Sequence, residues 1–386
     1  MPVEEKVAMT RYGFLSTYPP TRCGLATFTE ALADALSGAG TPDAAIVRVL
    51  DSPIDRPDPT VIGRIPTTRE LIAGDDVSLG ASVRALEECD VAIVQHEYGI
   101  YGGRDGDEVV TLLRMLGTPA IVVLHTVLAA PTWHQREVLE SVCESAAAVV
   151  VMTENARDIL MRAYRVAPTK VRVIPHGVPV QHAASAPRRR TAKRVLTWGL
   201  ISPGKGLEWG IRAISELGGL ASPVEYVIAG QTHPKVLAFE GERYRESLQR
   251  LIDDLGLVDT VTMDDRYLDA SQLADLVTTA DVVLLPYDSR DQATSGVLVE
   301  AIAAGVPVVS TGFPHAVELL SGGAGLIARH GDPESMAAAI RTIVETEETA
   351  RRMHEAALRD AHDSSWPVVG ERYRELADRI TAARAA

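Results

Sequence analysis

The chain has 386 residues, 46% of them hydrophobic, and a formal charge of −14 from 38 Lys and Arg against 52 Asp and Glu residues. This length allows two or three domains that each bury a core, and the hydrophobic content argues against a disordered chain. The acidic balance argues against a surface that neutralises nucleic-acid phosphates, so we expect no nucleic-acid partner.

Short apolar segments alternate with amphipathic helical segments along most of the chain. The strand candidates are 44–50, 91–95, 120–124, 147–152, 171–174, 195–198, 224–229, 260–263, 282–285 and 306–310. Their continuous apolar character is typical of parallel strands covered on both faces, and the alternation predicts βα units. We therefore predict an α/β protein with two doubly wound parallel sheets, one in residues 1–180 and one in residues 195–365. Residues 181–194, with a proline and three consecutive arginines, have no helical or strand period and are interpreted as a linker.

The first strand-to-helix turn contains the sequence STYPPTRCGLATF, residues 16–28. Two prolines and Gly24 predict a stiff loop before an amphipathic helix, where the backbone can approach a ligand closely. Arg22 projects from this loop. The sequence leaves open whether Arg22 is an ordinary solvent-exposed arginine or binds a ligand.

Two histidines, His96 and His125, follow neighbouring predicted strands. We expect both at the same sheet edge, where each fits either a structural or a functional role. Their spacing is not that of a zinc-binding helix, and we predict no metal site. Asp105 and Asp107 match the Asp-x-Asp pattern of metal-dependent sugar transferases only superficially, and Asp107 is interpreted as the N-cap of the next helix.

The segment VLTWGLISPGKGLEWGI, residues 195–211, is a strand followed by a Gly/Ser/Pro loop and a helix. Lys205 stands just before the helix, and Gly206 gives the backbone room. A lysine in such a loop can neutralise a diphosphate leaving group, whereas a helix start alone disfavours a cation. The spacing of a P-loop is absent.

The segment DVVLLPYDSRDQATSGVLVEAIAAG, residues 281–305, is a buried strand, a polar loop and a helix that starts near Ser295. Thr294 is the predicted N-cap, and Gly305 suits a left-handed helix end. The free N–H groups at the helix start favour a phosphate or a polar sugar. Glu300 fits either an ordinary helix-surface glutamate or a carboxylate that accepts hydrogen bonds from a ribose diol.

Taken together, these segments resemble the retaining glycosyltransferases of family 4, which have the GT-B fold. The resemblance covers nearly the whole chain and rests on the order and spacing of several motifs. They are the loop Tyr18–Gly24, the pair His125-Thr126, VIPHGVP at Val173–Pro179, the Lys205 loop, LVEAIAAGVPVVS at Leu298–Ser310, and SSWPVVGERYREL with Trp366 and Tyr373.

The resemblance implies a fold, an activity and a division of labour between the domains. It implies two Rossmann-like domains that face an interdomain cleft, an acceptor domain over 1–180 and a donor domain over 195–365, with a last helix (366–386) that crosses back onto the first domain. The implied activity is transfer of a hexose from a UDP- or GDP-sugar, such as UDP-glucose or GDP-mannose, to a soluble hydroxyl acceptor. Anomeric configuration would be retained, and neither a metal nor a cofactor would be required.

The resemblance also implies roles for individual residues. Lys205 would contact the diphosphate, Glu300 the ribose, and His125 the transferred sugar. The predicted catalytic residues are Lys205, His125, Gln292 and Arg22. The predicted donor-binding residues are Gly24, Gly199, Lys205, Arg266, Tyr267, Arg290, Thr294, Ser295, Gly296 and Glu300, with Arg266 and Tyr267 beside the base. Location alone makes His96, Tyr98, Tyr101 and Arg104 the acceptor candidates.

Two positions depart from the family pattern. The family usually has two glutamates with seven residues between them. At the first of these positions, counted back from Glu300, this chain has Gln292, which carries no negative charge. Where the family usually has an arginine after the first glycine of the phosphate loop, this chain has Leu200. We hypothesise that Arg22 or Arg290 supplies the missing cation.

Other functions stay open at this point: a GT-B epimerase or phosphorylase, or a non-catalytic sugar-nucleotide sensor. The acceptor, a small molecule or saccharide, the donor base and the oligomeric state are not determined by the sequence. The three separated cysteines (Cys23, Cys89 and Cys143) fit a reducing compartment. An acidic N-terminus and apolar runs far shorter than ~18 residues predict a cytoplasmic protein for which a membrane is an improbable partner.

Overall fold

The computed structural model describes residues 10–37, 44–53, 64–179, 191–266, 268, 270–292 and 294–385. Most of the predicted linker and Tyr267 lie outside the described residues. The chain divides into two compact units. One comprises the described residues up to Gly177 together with those from Trp366 onward, and the other comprises Val178–Ser365.

The first unit contains a parallel sheet of seven strands within the described residues, in the order β3-β2-β1-β4-β5-β6-β7. Its strands are β1 (Tyr12–Ser16), β2 (Ala44–Leu50), β3 (Thr67–Ile72), β4 (Val91–His96), β5 (Ala120–Leu124), β6 (Ala148–Val151) and β7 (Val171–Val173). Its helices are α1 (Gly24–Leu36), α2 (Asp76–Glu87), α3 (Glu108–Met115), α4 (Trp133–Ser145) and α5 (Glu154–Ala163). Every residue of β4, β5 and β6 is buried, because helices cover both faces of a parallel sheet.

The second unit contains six parallel strands within the described residues, in the order β10-β9-β8-β11-β12-β13. They are β8 (Lys193–Trp198), β9 (Val224–Ala229), β10 (Val261–Asp264), β11 (Val282–Leu285), β12 (Val308–Thr311) and β13 (Gly325–Ala328). The helices are α6 (Leu207–Ser215), α7 (Pro234–Glu240), α8 (Arg243–Asp254), α9 (Ala270–Val277), α10 (Gly296–Ala303), α11 (Pro314–Leu320), α12 (Pro333–Glu345) and α13 (Glu347–Ala361). The order of strands reverses between β8 and β11, and ligands bind at such points in open α/β sheets.

The last helix, α14 (Trp366–Ala385), belongs to the first unit. Tyr373 and Leu376 on α14 are buried in one hydrophobic cluster with Phe28 and Leu32 of α1. A β-carbon on Gly177 would lie only 2.2 Å from the Trp366 indole, so this position admits only glycine. The predicted return of the last helix to the first domain is confirmed.

The ten predicted strands are all present, with ends that differ by at most two residues. Three described strands are absent from the predicted list. β3 and β13 lie at sheet edges, where partial exposure interrupts the apolar run. β1 is central and buried, and the sequence predicted the turn that follows it without giving bounds for the strand itself. No helix in the described part of the chain is long and apolar enough to cross a membrane.

Candidate functional site

Lys205 lies at the carboxyl edge of the second sheet, in the loop between β8 and α6. Its Nζ stands 4.2 Å from the ring centroid of Tyr287, which follows β11, in a cation–π contact. The loop is tied to its neighbours by backbone bonds from Asp288 N–H to the Gly204 carbonyl (3.0 Å) and from Ile201 N–H to the Gln231 carbonyl (2.8 Å). These bonds hold the Lys205 loop against the segments that follow β11 and β9, and the contacts of the described residues include no acidic partner for the ammonium group.

The start of α10 lies close to the same loop, since a β-carbon on Gly199 would lie 3.8 Å from Cγ2 of Val297. The N-cap is Ser295, whose Oγ accepts a hydrogen bond from Leu298 N–H at 3.3 Å, so the prediction of Thr294 as N-cap is wrong. The N–H groups of Gly296 and Val297 precede the first helical hydrogen bond and are available to a ligand.

His315, a residue that the sequence analysis missed, fixes the N-cap. Its Nδ1 accepts a hydrogen bond from Ser295 N–H at 2.8 Å, and the ring is 3% exposed. The Ser295 N–H is therefore already used within the chain. Thr294 Oγ1 is buried and has no hydrogen-bond partner among the described residues, so a ligand could satisfy it.

Glu300 points at the end of β8. The indole N–H of Trp198, the last residue of that strand, donates to Glu300 Oε2 at 3.1 Å. Burial raises the pKa of the Glu300 carboxyl, and the hydrogen bond from Trp198 partly offsets this rise. The placement favours the ligand-binding interpretation of Glu300 over the surface interpretation.

The neutral side-chain amide of Gln292 makes a hydrogen bond within its own loop. Its Nε2 donates to the Thr294 carbonyl at 3.0 Å, within the loop that leads into α10. A carboxylate cannot donate such a bond, which gives a physical reason for the departure from the family pattern.

The other predicted donor-binding side chains are arranged differently. Arg266 is folded back on Asp264 at 2.6 Å, and this ion pair and its hydrogen bonds hold the pKa of the aspartate below its usual value. Arg290 is exposed in the loop after β11. Tyr267 lies outside the described residues. Neither arginine touches Lys205 or Glu300 in the contacts that the structure describes.

In the first unit, Arg22 and Gly24 lie in the β1–α1 turn. Cys23 is the N-cap of α1, Gly24 is its first residue, and both Arg22 and Gly24 are exposed. A β-carbon on Gly24 would meet nothing within 4 Å, so the backbone has open space above it.

His125 lies at the carboxyl edge of the first sheet. Its Nε2 is 2.7 Å from Gln95 Oε1, and its ring meets the Phe28 ring edge-on at 4.9 Å. Burial, reinforced by His176 and His96, lowers the pKa of His125 to about 3. The imidazole is therefore neutral at pH 7. With Nε2–H assigned as the donor to Gln95, Nδ1 is left as a hydrogen-bond acceptor.

His96 and Tyr101 lie beneath this edge, and their burial argues against the prediction that they contact an acceptor. His96 is 1% exposed and burial lowers its pKa to about 4. Tyr101 is buried, and its hydroxyl donates to the Gln95 carbonyl at 2.7 Å. Tyr101 thus binds the end of β4, whereas the ring nitrogens of the buried His96 have no hydrogen-bond partner among the described residues.

Tyr98 and Arg104 remain nearer the surface. The Tyr98 hydroxyl donates to the Gln135 carbonyl at 3.3 Å. Arg104 is 65% exposed, and its guanidinium lies 5.7 Å from the ring centroid of the exposed Trp133.

Asp105 and Asp107 both face His134, with Oδ2 atoms 2.8 Å and 3.6 Å from its ring nitrogens. Asp107 is the N-cap of α3, as predicted, although its side chain makes no capping hydrogen bond. The described residues contain no group of three or more His, Cys, Asp or Glu side chains arranged to hold a metal ion, and metal-independent chemistry stays a prediction.

Glu97 is a second residue that the sequence analysis missed. It directly follows β4, and the Thr126 hydroxyl donates to its Oε2. A carboxylate placed immediately after an apolar strand was the signal that could have identified it.

Comparison with known proteins places both units in described families. Residues 23–182 match the family model "Glycosyltransferase Family 4", and residues 181–360 match "Glycosyl transferases group 1". Together the two models span residues 23–360.

Among named relatives, a D-inositol 3-phosphate glycosyltransferase of Kineococcus radiotolerans is 30% identical over 270 residues, which cover 64% of this chain and 60% of that protein. An alpha-D-kanosaminyltransferase of Streptomyces kanamyceticus is 26% identical over 291 residues, which cover 68% of this chain and 72% of that protein. A second D-inositol 3-phosphate glycosyltransferase, from Streptomyces coelicolor, is matched over 52% of its length. The chain thus spans between half and two thirds of the inositol-phosphate relatives' lengths in these two matches.

Among solved structures, Anabaena HepE in complex with UDP and glucose has a TM-score of 0.77 at 16% identity, with 96% of this chain and 100% of that chain covered. Sucrose-phosphate synthase from Thermosynechococcus elongatus has a TM-score of 0.76 at 18% identity, with 97% and 100% covered. These likenesses establish the fold: two Rossmann-like parallel-sheet units of the GT-B type, as predicted.

Proposed function

We propose that this chain, which belongs to the family 4 glycosyltransferases, transfers a hexose from a nucleotide diphosphate sugar to a hydroxyl group of a small-molecule or saccharide acceptor, with retention of configuration. One observation carries the proposal: Lys205, the free N–H groups of α10 and Glu300 meet at the switch point of the second sheet. A cation, two amide donors and a carboxylate are the groups that a nucleoside diphosphate needs there.

The cation and the amides would act on the leaving group. As the sugar–oxygen bond breaks, negative charge grows on the diphosphate, and preorganised donors stabilise that charge more than they stabilise the bound donor sugar. Lys205 Nζ and the N–H groups of Gly296 and Val297 fill this role, aided by the positive end of the helix. In the proposed reaction they do so without a metal ion.

Glu300 would hold the ribose. Trp198 occupies Oε2, which leaves Oε1 to accept from the adjacent ribose hydroxyls. The Trp198 bond fixes the plane of the carboxylate before the ligand arrives, so less rotamer entropy is lost on binding.

The first unit would bind sugar or acceptor hydroxyls. Because His125 is neutral, Nδ1 can accept a hydrogen bond from a hydroxyl but cannot act as a general acid. In the proposed retaining route the acceptor hydroxyl attacks the face from which the diphosphate leaves, and the leaving phosphate takes its proton.

The function is tested by titrating UDP, GDP and ADP into the protein by calorimetry and then supplying the matching glucose and mannose donors. We expect one nucleoside diphosphate to bind, slow hydrolysis of its sugar, and a transfer product with the donor's anomeric configuration by NMR. Binding without turnover would favour a sensor, and an isomerised donor formed without acceptor would favour an epimerase. If none of the three nucleotides binds, the proposal fails.

Glu300→Ala is expected to weaken binding of that nucleoside diphosphate about 10- to 100-fold, since hydrogen bonds to a charged group contribute about 1.5–3 kcal/mol. The matched control is the 2′,3′-dideoxy analogue, which lacks the diol and should bind the parent and the variant equally. Equal loss for both ligands would show that Glu300 does not contact the ribose.

The hypothesis of a replacement cation predicts that Arg22→Ala or Arg290→Ala lowers kcat about 10²–10³-fold, the usual effect of removing one contact to a developing anion. Arg69→Ala, which removes an exposed arginine of the edge strand β3, is the control and should change kcat little. The hypothesis is wrong if both test variants turn over within a few-fold of the parent.

A further inference from the structure

Glu97 is a carboxylate at the carboxyl edge of the first sheet that the proposed chemistry has not used. Its Oε2 accepts from the hydroxyl of Thr126, the residue next to His125, and its Oε1 accepts from Tyr98 N–H at 3.0 Å. The residue is partly exposed, so a ligand can reach it. Each carboxylate oxygen accepts two hydrogen bonds, and each therefore keeps one site free.

In the described part of the chain Glu97 has no cation beside it, whereas three other half-buried glutamates do. Glu70 pairs with Arg48, Glu140 with Arg165, and Glu225 with Arg194. Among the described residues Glu97 has no ion-pair partner, although burial raises the pKa of its carboxyl and opposes the charged form. Partly buried carboxylates are normally compensated by a cation or by several donors, and here the chain supplies only two neutral donors.

We propose that Glu97 selects the acceptor: it accepts hydrogen bonds from hydroxyl or ammonium groups of an uncharged or cationic polyol and disfavours a phosphorylated one. A polyol hydroxyl that donates to either oxygen of the Glu97 carboxylate completes its hydrogen bonding. A phosphate group at the same place is repelled by the negative charge of the carboxylate, and water screens this repulsion only partly because the carboxylate is half-buried. The inference rests on the proposed function, because it assigns the acceptor class of that reaction. It concerns the first unit alone, while donor binding depends on the second.

The test compares matched acceptor probes with the donor identified above: myo-inositol with inositol 3-phosphate, glucose with glucose 6-phosphate, and glucosamine with glucosamine 6-phosphate. For the parent protein we expect kcat/KM to favour the unphosphorylated member of each accepted pair by about 100-fold. Glu97→Gln, which keeps the shape but removes the charge, should reduce this preference to below about 10-fold. Glu137→Gln, an exposed carboxylate on α4, is the control and should leave the ratio unchanged.

The inference is overturned if the parent prefers the phosphorylated probes, if it accepts none of the six, or if Glu97→Gln leaves the ratio at its parental value. Thermal unfolding checks that the Glu97→Gln variant folds. If the variant does not fold, the ratio of kcat/KM values measured for the parent protein still tests the inference. Failure of the proposed function looks different, because no nucleoside diphosphate then binds and no donor is hydrolysed.

Discussion

Lys205→Met is expected to lower kcat about 10²–10³-fold while leaving the fold intact. The ammonium group stands over the Tyr287 ring at the switch point and has no acidic partner in the described contacts, so its charge is available to a departing diphosphate. Methionine keeps the length and the apolar contact with Tyr287 but removes the charge. Steady-state kinetics with the identified donor measures the effect, and kcat should fall more than KM rises, since charge develops only in the transition state.

Lys193→Met is the matched control for this prediction. Lys193 lies at the opposite, amino end of the same strand β8, where it pairs with Asp281 at 3.1 Å. Loss of such a partly exposed pair changes stability by about 1 kcal/mol or less and should not change kcat. A Lys205→Met variant that turns over within a few-fold of the parent would remove Lys205 from the leaving-group site.

Gly206→Ala is expected to lower the free energy of unfolding by about 3 kcal/mol or more. Gly206 is the N-cap of α6 and has φ = +61°, and a β-carbon there would lie 2.0 Å from the Pro286 carbonyl oxygen at the end of β11. Backbone cannot move aside as a flexible side chain can. The substitution would therefore push the Lys205 loop away from β11, and donor affinity should fall together with stability in a denaturation and binding series.

Gly204→Ala separates the effect of the left-handed backbone conformation from the effect of the steric clash with Pro286. Gly204 lies in the same loop and also has a positive φ (+87°), but a β-carbon on it would meet nothing within 4 Å. Only the left-handed strain then applies, about 1 kcal/mol. Similar losses for the two alanine variants would contradict the close approach of α6 to β11.

The sequence predicted most central strands of both sheets well because they are covered on both faces and form unbroken apolar runs. It missed β3 and β13, which lie at sheet edges and combine exposed and buried positions, and it gave no bounds for the central strand β1. An edge strand is defined by its pairing with a neighbouring strand, as Thr67 of β3 pairs with Ile46 of β2. Such pairing joins distant residues and cannot be deduced from a short stretch of sequence.

The residues of the candidate site also fall into those that local sequence patterns identify and those that only distant contacts reveal. Lys205, His125 and Glu300 were identified because each lies in a strand-to-helix loop or at a helix start, which are local patterns. Trp198 and His315 were missed, and the N-cap was misplaced by one residue, because the bonds that decide these matters join residues 102 and 20 positions apart.

What the sequence determined by itself was the order of βα units, the loops at the strand ends and the titratable groups they carry, since periodicity and turn chemistry act over a few residues. The tertiary structure alone decided which of those groups are used within the chain and which remain for a ligand. It buried His96 and Tyr101, committed Gln292 to its own loop, and left Glu97 without a cation. Hydrogen bonding and desolvation depend on neighbours that folding brings together. These two effects determine the protonation state and the orientation of each side chain.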